Sequence, residues 1–450
     1  MATHLTNRSA TLALDPWSNR LFSVLSVLSV ACFLFVCSAV VAAQDWPQWR
    51  GPARSGATAA FKAPATWPDR PKQVWKVQAG VGHASPIVAD GRVYLFARIG
   101  EREGLTAFDV ATGKQLWQQV YDAPYQINSA ATAHGKGPKS TPVYDSGRVY
   151  TFGISGILSA VQAADGRVVW KKDFSKEFPA TSPEYGVSMS PVVAGGVLIV
   201  HAGGAGNGAL FGIDTATGQP KWSWKGDGPG YASPVLAEIG GTRQIITQSQ
   251  RSLVSLSAAD GRLLWQVPFK TEYDQNIVTP VVVGDLVIYA GVGDPTTAIK
   301  VTQVVRKPAS APGAAAGSRR SPGEGGWQTA KVWENAEIPM YMSSPVESGG
   351  YLYGLTNRNR GQFFCVDART GKMMWATRGR EAENAALVTA GGVVMATTTE
   401  GELVVLRANP KQFDLVKRYT LADSPVWAHP AVLANGVVIK DAESLARWAF

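Results

Sequence analysis

The chain has 450 residues, of which 47 are glycine, 15 are tryptophan and only 17% are charged, and this turn-rich, aromatic-rich composition excludes a disordered protein. Its formal net charge of +9 favours contact with acidic surfaces. The lysines and arginines are scattered and form no dense basic helix, so the sequence gives little support to nucleic-acid binding.

The N-terminal segment has the features of an export signal. Two arginines precede the apolar run 21–43, which ends in the small-residue pattern VAA. We therefore predict a signal peptide over residues 1–43, cleaved after Ala43, and a periplasmic or secreted protein. The run is long enough to span a bilayer, so an uncleaved anchor is the alternative and the one predicted membrane contact. Residues 44–71 are interpreted as an N-terminal extension.

From residue 72 the chain repeats a unit with two halves. The first half is a proline step, an apolar strand, a Gly turn and a second strand, as in HASPIVADGRVYLF and KSTPVYDSGRVYTF. The second half is a strand, a Thr-Gly or Asp-Gly turn and a strand ending in Trp, as in FDVATGKQLW. Alternating apolar residues fit a pleated surface, and Gly supplies the positive φ of a tight turn, so each half is predicted to be a β-hairpin.

The spacing of the proline steps predicts the number of units. They fall at Pro86, Pro142, Pro191, Pro234, Pro280, Pro345 and Pro430. A degenerate unit near Leu387 fills the last gap, which is about twice the usual repeat length, and this makes eight units. Four-stranded units at a period of about 40–50 residues are typical of a β-propeller. We predict an all-β, eight-bladed propeller of four-stranded antiparallel blades over residues 72–450.

Two further features of the repeats have a structural interpretation. The eighth unit holds about three strands, and the stretch KQVWKVQAG at 72–80 has no partner of its own, so we predict that it closes the ring as the missing outer strand. A tryptophan that ends the outer strand is predicted to wedge between neighbouring blades. These predicted blade-docking residues are Trp117, Trp170, Trp222, Trp265 and Trp375.

One blade is interrupted by a segment rich in Pro, Ala, Gly and Ser. It spans residues 306–326 and contains too few apolar side chains to bury a core. We predict a flexible loop inside that blade.

The repeated AxDxxTGxxxW pattern, with its proline-step hairpins, resembles the pyrroloquinoline-quinone-like (PQQ-like) repeat of the quinoprotein alcohol dehydrogenase-like superfamily. The motifs DWPQWRGP at 45–52 and HGKGPKSTP at 134–142 are similar to a bacterial, exported subgroup. The resemblance implies one of two kinds of protein. Quinoprotein dehydrogenases hold PQQ and Ca²⁺ in the central funnel, whereas other members, such as the propeller subunit of the outer-membrane β-barrel assembly machinery, are non-enzymatic scaffolds.

The sequence lacks the parts that the enzymes of this superfamily use. It contains no adjacent pair of cysteines and no Cys-x-x-Cys-His motif, and no acidic cluster lies at the proline steps, where calcium ligands are expected. No catalytic residue is carried over, and we predict no cofactor and no metal. PQQ with Ca²⁺ belongs to the alternative interpretation alone.

The residues just before the proline steps should line the mouth of the central channel. This candidate ligand-binding ring is polar and aromatic, with one obvious cation, and it consists of His83, Lys139, Ser188, Tyr231, Asn276, Tyr341, Trp427 and His429. Such a ring suits an anionic or polyol ligand or a peptide loop of a partner, and the alternative is that it only fills and hydrates the channel.

The leading hypothesis is an exported, monomeric propeller that acts as a binding or scaffold protein of the bacterial cell envelope. Its partner is an envelope protein or a small ligand in the funnel. The two alternatives are a quinone-dependent oxidoreductase of alcohols or sugars and a carbohydrate- or polymer-binding envelope module.

Overall fold

The computed structural model describes residues 45–304 and 326–450. The predicted signal peptide, and the predicted flexible loop apart from Gly326, lie outside the described residues. Two strands precede the first blade: β1 (Ala57–Thr58) and β2 (Lys72–Gln78). Blade 1 is β3 (Ile87–Ala89), β4 (Arg92–Ile99), β5 (Arg102–Asp109) and β6 (Gln115–Asp122), and blade 2 is β7 (Val143–Asp145), β8 (Arg148–Phe152), β9 (Ile157–Gln162) and β10 (Val168–Asp173).

The next four blades follow in chain order. Blade 3 is β11 (Val192–Ala194), β12 (Val197–Gly204), β13 (Asn207–Asp214) and β14 (Pro220–Trp224), and blade 4 is β15 (Val235–Ile239), β16 (Thr242–Gln248), β17 (Ser252–Ser257) and β18 (Leu263–Pro268). Blade 5 is β19 (Val281–Val283), β20 (Leu286–Gly291), β21 (Asp294–Gln303) and β22 (Trp327–Asn335), and blade 6 is β23 (Val346–Ser348), β24 (Tyr351–Thr356), β25 (Gln362–Asp367) and β26 (Met373–Ala376).

The last two blades each take a strand from the N-terminal segment. Blade 7 is β27 (Ala385–Ala390), β28 (Val393–Thr398), β29 (Glu402–Arg407) and β30 (Leu415–Thr420), with β1 paired parallel to β27. Blade 8 is β31 (Ala431–Leu433), β32 (Gly436–Lys440) and β33 (Ser444–Ala449), with β2 antiparallel to β33 as its outer strand. The predicted eight-bladed propeller and its closure by the N-terminal strand are therefore confirmed.

The helices among the described residues are short 3-10 turns in the loops. They are Ser129–His134, Phe174–Lys176, Glu272–Asp274 and Arg358–Arg360. Among the described residues, no helix combines the length and the apolar character needed to cross a bilayer.

Each proline step marks the start of an inner strand. The residue after the proline is the first of β3, β7, β11, β15, β19, β23 and β31. Proline suits this position because it has no N–H to offer to a strand ladder. The loops that lead from the outer strand of one blade to the inner strand of the next therefore converge on one face, around the central axis.

The predicted docking tryptophans stand third in their outer strands and not at the end as predicted, and three of them hydrogen-bond to the next blade. Trp117 Nε1 of blade 1 donates to the carbonyl of Ala163 in blade 2 at 3.1 Å, and the ring lies over Gly166. Trp170 makes the same bond to Thr215 at 3.0 Å and Trp375 to Asn409 at 2.9 Å. The bare glycine lets the indole lie against the backbone.

The set of docking tryptophans differs from the predicted one at several blades. Trp75 of the closing strand donates to Val110 at 3.0 Å and Trp333 to Ala368 at 3.1 Å, and neither was predicted. Trp222 covers Gly261 without a hydrogen bond from its Nε1. Trp265 packs against blade 5, but its Nε1 donates to Gln244 of its own blade at 2.9 Å.

Candidate functional site

A cavity of about 290 Å³ lies where the entrance loops of the inner strands converge. Its wall comes from the residues just before the proline steps of seven blades. The described lining residues are Trp49, His83, Ser85, Ala130, His134, Lys139, Thr141, Tyr185, Ser188, Tyr231, Ser233, Gln275, Ile277, Thr279, Tyr341, Met342, Ser344, Trp427 and His429.

The structure brings seven of the eight predicted mouth residues together in this lining. Asn276 is the exception and is fully buried. Its Nδ2 donates to the carbonyls of Ser249 at 2.8 Å and Phe269 at 3.0 Å. The amide therefore stabilises the entrance loop of blade 5 and does not face the cavity. In most blades the lining residue stands two positions before the Ser or Thr of the proline step. That position in blade 5 is Ile277, one residue after the predicted one.

The Ser or Thr of the proline step links neighbouring blades over most of the propeller. The N–H of Ser85 donates to Thr141 Oγ1 at 2.9 Å, and Ser85 Oγ accepts from the N–H of His429 at 2.8 Å. The same bond repeats as far as blade 6. The accepting hydroxyls are those of Ser85, Thr141, Ser190, Ser233, Thr279 and Ser344. This series of hydrogen bonds joins the starts of the inner strands from blade 8 through blade 1 to blade 6, and five of its hydroxyl-bearing residues line the cavity.

The floor of the cavity is formed by the N-terminal segment, which crosses the channel. Trp49 lies in the lining, with its ring centroid 5.1 Å from that of His429. Behind it, Arg54 donates to the carbonyls of Pro191 at 2.8 Å, Ser190 at 2.9 Å and Pro234 at 2.7 Å.

Arg50, in the same segment, bonds to blade 6. Its guanidinium donates to the carbonyls of Ser344 at 3.1 Å and Pro345 at 2.6 Å. Burial lowers the pKa of both Arg50 and Arg54 to about 9, so both remain cations at neutral pH. The segment DWPQWRGP, which the sequence analysis used for its resemblance, therefore also closes the channel behind the cavity.

One side of the cavity is an aromatic cluster of two histidines and a tryptophan. Trp427 lies 5.8 Å from His83 and 5.3 Å from His134, between ring centroids. His83 Nε2 lies 3.0 Å from the carbonyl of His134, which fixes the proton on Nε2. Burial, with a smaller effect of Lys139, lowers the pKa of His83 to about 4, so this imidazole is neutral at physiological pH.

Lys139 is the cation that faces the cavity. Its Nζ donates to the carbonyl of Tyr185 at 2.6 Å, and within the described chain no carboxylate lies within salt-bridge distance of it. Burial lowers the pKa of Lys139 to about 8. The ammonium is still mainly protonated at pH 7, in surroundings that stabilise it weakly.

The cavity does not fit a PQQ–calcium centre. Its described lining contains no Asp or Glu, whereas Ca²⁺ takes six to eight oxygen ligands, commonly from carboxylates. Elsewhere in residues 45–304 and 326–450, no three His, Cys, Asp or Glu side chains are grouped so as to hold a metal ion.

Sequence reasoning missed the lining residues that come from long loops. Trp49, His134, Tyr185 and Gln275 lie outside the two or three residues before a proline step. Trp49 and His134 stand in the two motifs quoted for the resemblance, so a signal was present for them. Tyr185 lies in a loop whose path across the mouth has no repeat pattern.

Comparisons with known proteins support the propeller and its envelope relatives. The family model described as outer membrane protein assembly factor BamB matches residues 68–134, 101–377 and 319–412. The BamB of Yersinia pestis is 28% identical over 240 residues, which are 49% of this chain and 56% of that protein. This chain thus spans little more than half the length of that relative.

Two other comparisons cover both branches of the superfamily. The dehydrogenase subunit of the quinone alcohol dehydrogenase of Acetobacter aceti is 32% identical over 147 residues, which are 31% of this chain and 19% of that one. The crystal structure of BamB from Moraxella catarrhalis has a TM-score of 0.58 at 15% identity and covers 84% of this chain and 98% of its own. This last likeness concerns the fold.

Proposed function

The chain belongs to the family of outer membrane protein assembly factor BamB, and from this premise we propose that it is a non-enzymatic scaffold of the bacterial cell envelope. It is exported, and it binds a protein of the machinery that assembles outer-membrane proteins. The observation that carries this proposal is the cavity lining, which contains no carboxylate among the described residues and so offers no carboxylate ligands for the calcium ion of a quinoprotein.

The face that carries the cavity is the proposed contact surface. Tyr273 in the entrance loop of blade 5 is 66% exposed, and its backbone is left-handed, with φ of 57°. Asn359 and Arg360, in a hairpin loop of blade 6 on the same face, are also left-handed, with φ of 49° and 62°. Strained non-glycine residues concentrate at binding sites, and tyrosine is enriched at protein interfaces.

The function is tested by deleting the gene in its source bacterium. We expect smaller amounts of β-barrel proteins in the outer-membrane fraction, measured by quantitative mass spectrometry, and recovery when the full chain is supplied from a plasmid. Unchanged amounts of every β-barrel protein would contradict the proposal.

The contact surface is tested by site-specific photocrosslinking in that bacterium. We place the crosslinker at Tyr273 and, as a matched control, at Leu116, which is 44% exposed near the opposite face. We expect an adduct with an outer-membrane assembly protein from Tyr273 alone. The same adduct from both positions, or from neither, would count against this surface.

The alternative oxidoreductase is tested by calorimetry with PQQ, with and without Ca²⁺. We expect the two titrations to give the same result, with no binding that depends on Ca²⁺. Calcium-dependent binding of PQQ would contradict the scaffold proposal and favour a quinoprotein oxidoreductase.

A further inference from the structure

Lys139 is a largely buried cation whose charge is not balanced by the protein around it. Its Nζ has the carbonyl of Tyr185 as its hydrogen-bond partner among the described residues, although an ammonium has three N–H donors. A charge in such surroundings is stabilised strongly by an opposite charge within hydrogen-bond distance. The cavity beside it is open for a ligand to supply that charge.

The wall next to Lys139 offers a neutral hydrogen-bond donor. Tyr231 accepts the N–H of Tyr185 at its phenolic oxygen at 3.2 Å, so its own O–H proton is free to donate. Burial raises the pKa of Tyr231, which keeps that proton on the oxygen. The hydroxyl of Ser188 on the same wall already donates to the carbonyl of Tyr231 at 3.4 Å. A cation together with one neutral phenol donor recognises an anion and rejects a second cation.

The cavity also has apolar surfaces among the polar side chains of its lining. Trp427 supplies one at the wall and Trp49 one at the floor, and Met342 and Ile277 add two smaller ones. Aromatic side chains at such positions bind planar apolar groups by offset or edge contacts.

We propose that the cavity binds a ligand that presents a carboxylate to Lys139 and a flat apolar group to Trp427 and Trp49. This chemistry occurs in free aromatic acids and at the C-terminus of a peptide that ends in an aromatic residue. The inference goes beyond the scaffold function, because it concerns a ligand in the cavity and not the partner on the surrounding face. If no such ligand binds, the loss of β-barrel proteins expected on gene deletion still stands. If gene deletion causes no such loss, the proposed ligand is still tested separately by calorimetry.

The test is calorimetry on the full exported chain with two pairs of probes. The first pair is 3-phenylpropionate and its neutral amide, and the second is N-acetyl-glycyl-phenylalanine and its C-terminal amide. We expect at least one acid to bind, and the matching amide to bind about tenfold more weakly or not at all. Binding of the small acid points to a free acid as the source, and binding of the peptide alone points to a chain terminus.

The matched variants are Lys139→Met and Lys136→Met, which lie in the same loop. Lys136 is exposed and does not line the cavity. We expect K139M to lose about tenfold or more in affinity for the acid and K136M to bind like the parent. Because K139M removes an unbalanced charge, it should fold as well as the parent, which thermal unfolding verifies. The proposal is wrong if acid and amide bind equally, if K139M keeps its affinity, or if no acid binds at millimolar concentration.

Discussion

Arg54 joins two blades through one buried side chain. It is 2% exposed, and its guanidinium donates to three backbone carbonyls of blades 3 and 4. Arg54→Met should lower the free energy of unfolding by about 2–4 kcal/mol, because those buried carbonyls lose charged donors. Urea denaturation measures the loss, and Arg70→Met, at an exposed position of the same N-terminal segment, should lie close to the parent. An R54M variant as stable as R70M would show that the bonds are dispensable.

His201 should make the protein sensitive to mild acid. Burial lowers its pKa to about 4, against an ordinary value of 6.5, and its Nε2 lies 3.0 Å from the carbonyl of Asp227. The unfolded chain therefore binds more protons between pH 6.5 and 4, so stability is lost as the pH falls through that window. At pH 5 the loss from one such histidine is roughly 2 kcal/mol. His83 and His429, whose pKa values burial lowers to about 4 and about 3, act in the same direction.

The variant His201→Gln isolates this effect. Glutamine keeps a donor for the carbonyl of Asp227 but does not titrate. Urea denaturation of both proteins at pH 7 and pH 5 should show a smaller acid loss in H201Q, by roughly 2 kcal/mol. An equal loss in the two proteins would mean that His201 is not neutral in the fold.

Individual site residues were predictable where the repeat itself places them. Lys139, Ser188 and Tyr231 stand two positions before the Ser or Thr of a proline step, and all of them line the cavity. Trp427 stands two positions before His429 in the step of blade 8 and lines the cavity as well. The prediction of Asn276 as a lining residue was wrong by one position. Its amide donates to backbone carbonyls, and no local sequence pattern indicates these contacts. A sequence repeat predicts the position of the backbone at the start of each inner strand. The contacts of a loop side chain depend on residues distant in sequence, so the repeat does not predict them.

The hairpin turn of the second half of each repeat has a function beyond turning the chain. In blade 2, a Cβ built on Gly166, with φ of +81°, would lie 2.6 Å from the Trp117 ring of blade 1. Gly147 of the same blade has φ of +78° and no atom within 4 Å of such a Cβ. The two glycines therefore share the backbone requirement and differ in the tryptophan contact.

Alanine at these two glycines separates the two requirements. Gly147→Ala should lose about 1–2 kcal/mol from the left-handed backbone alone. Gly166→Ala should lose about 1–3 kcal/mol more, because the methyl group displaces the indole between the blades. Urea denaturation of the two variants gives the difference directly. Equal losses would mean that the docking tryptophan does not hold the blades together.

At the scale of the whole molecule, the blade count and the closing strand followed from the sequence, since each blade repeats one hydrophobic pattern and leaves one open edge. The path of residues 45–58 did not follow from it. Trp46 pairs with Val88 of blade 1, and Thr58 pairs with Ala390 of blade 7, so the segment crosses the channel between them. Nothing in DWPQWRGP alternates like a strand. Arg50 in this motif and Arg54 just after it are buried because carbonyls at the starts of the inner strands accept their hydrogen bonds.

The closing strand gives the last prediction. β2 is joined to blade 8 by hydrogen bonds to β33 and not by a hairpin, whereas every other outer strand is tethered to its own blade. Val77→Pro, which removes an N–H from β2, should therefore release the strand and open the ring, while Val267→Pro in β18 should disturb blade 4 locally.

We expect V77P to unfold in urea with a lower midpoint and a smaller slope than V267P, since opening one junction uncouples blade 8 from blade 1. Limited proteolysis should cut V77P first between residues 59 and 80. If both variants unfold alike, the ring does not depend on β2 more than on any other outer strand. The segment 45–58, which contacts blades 1 and 7, would then be sufficient to hold those blades in place.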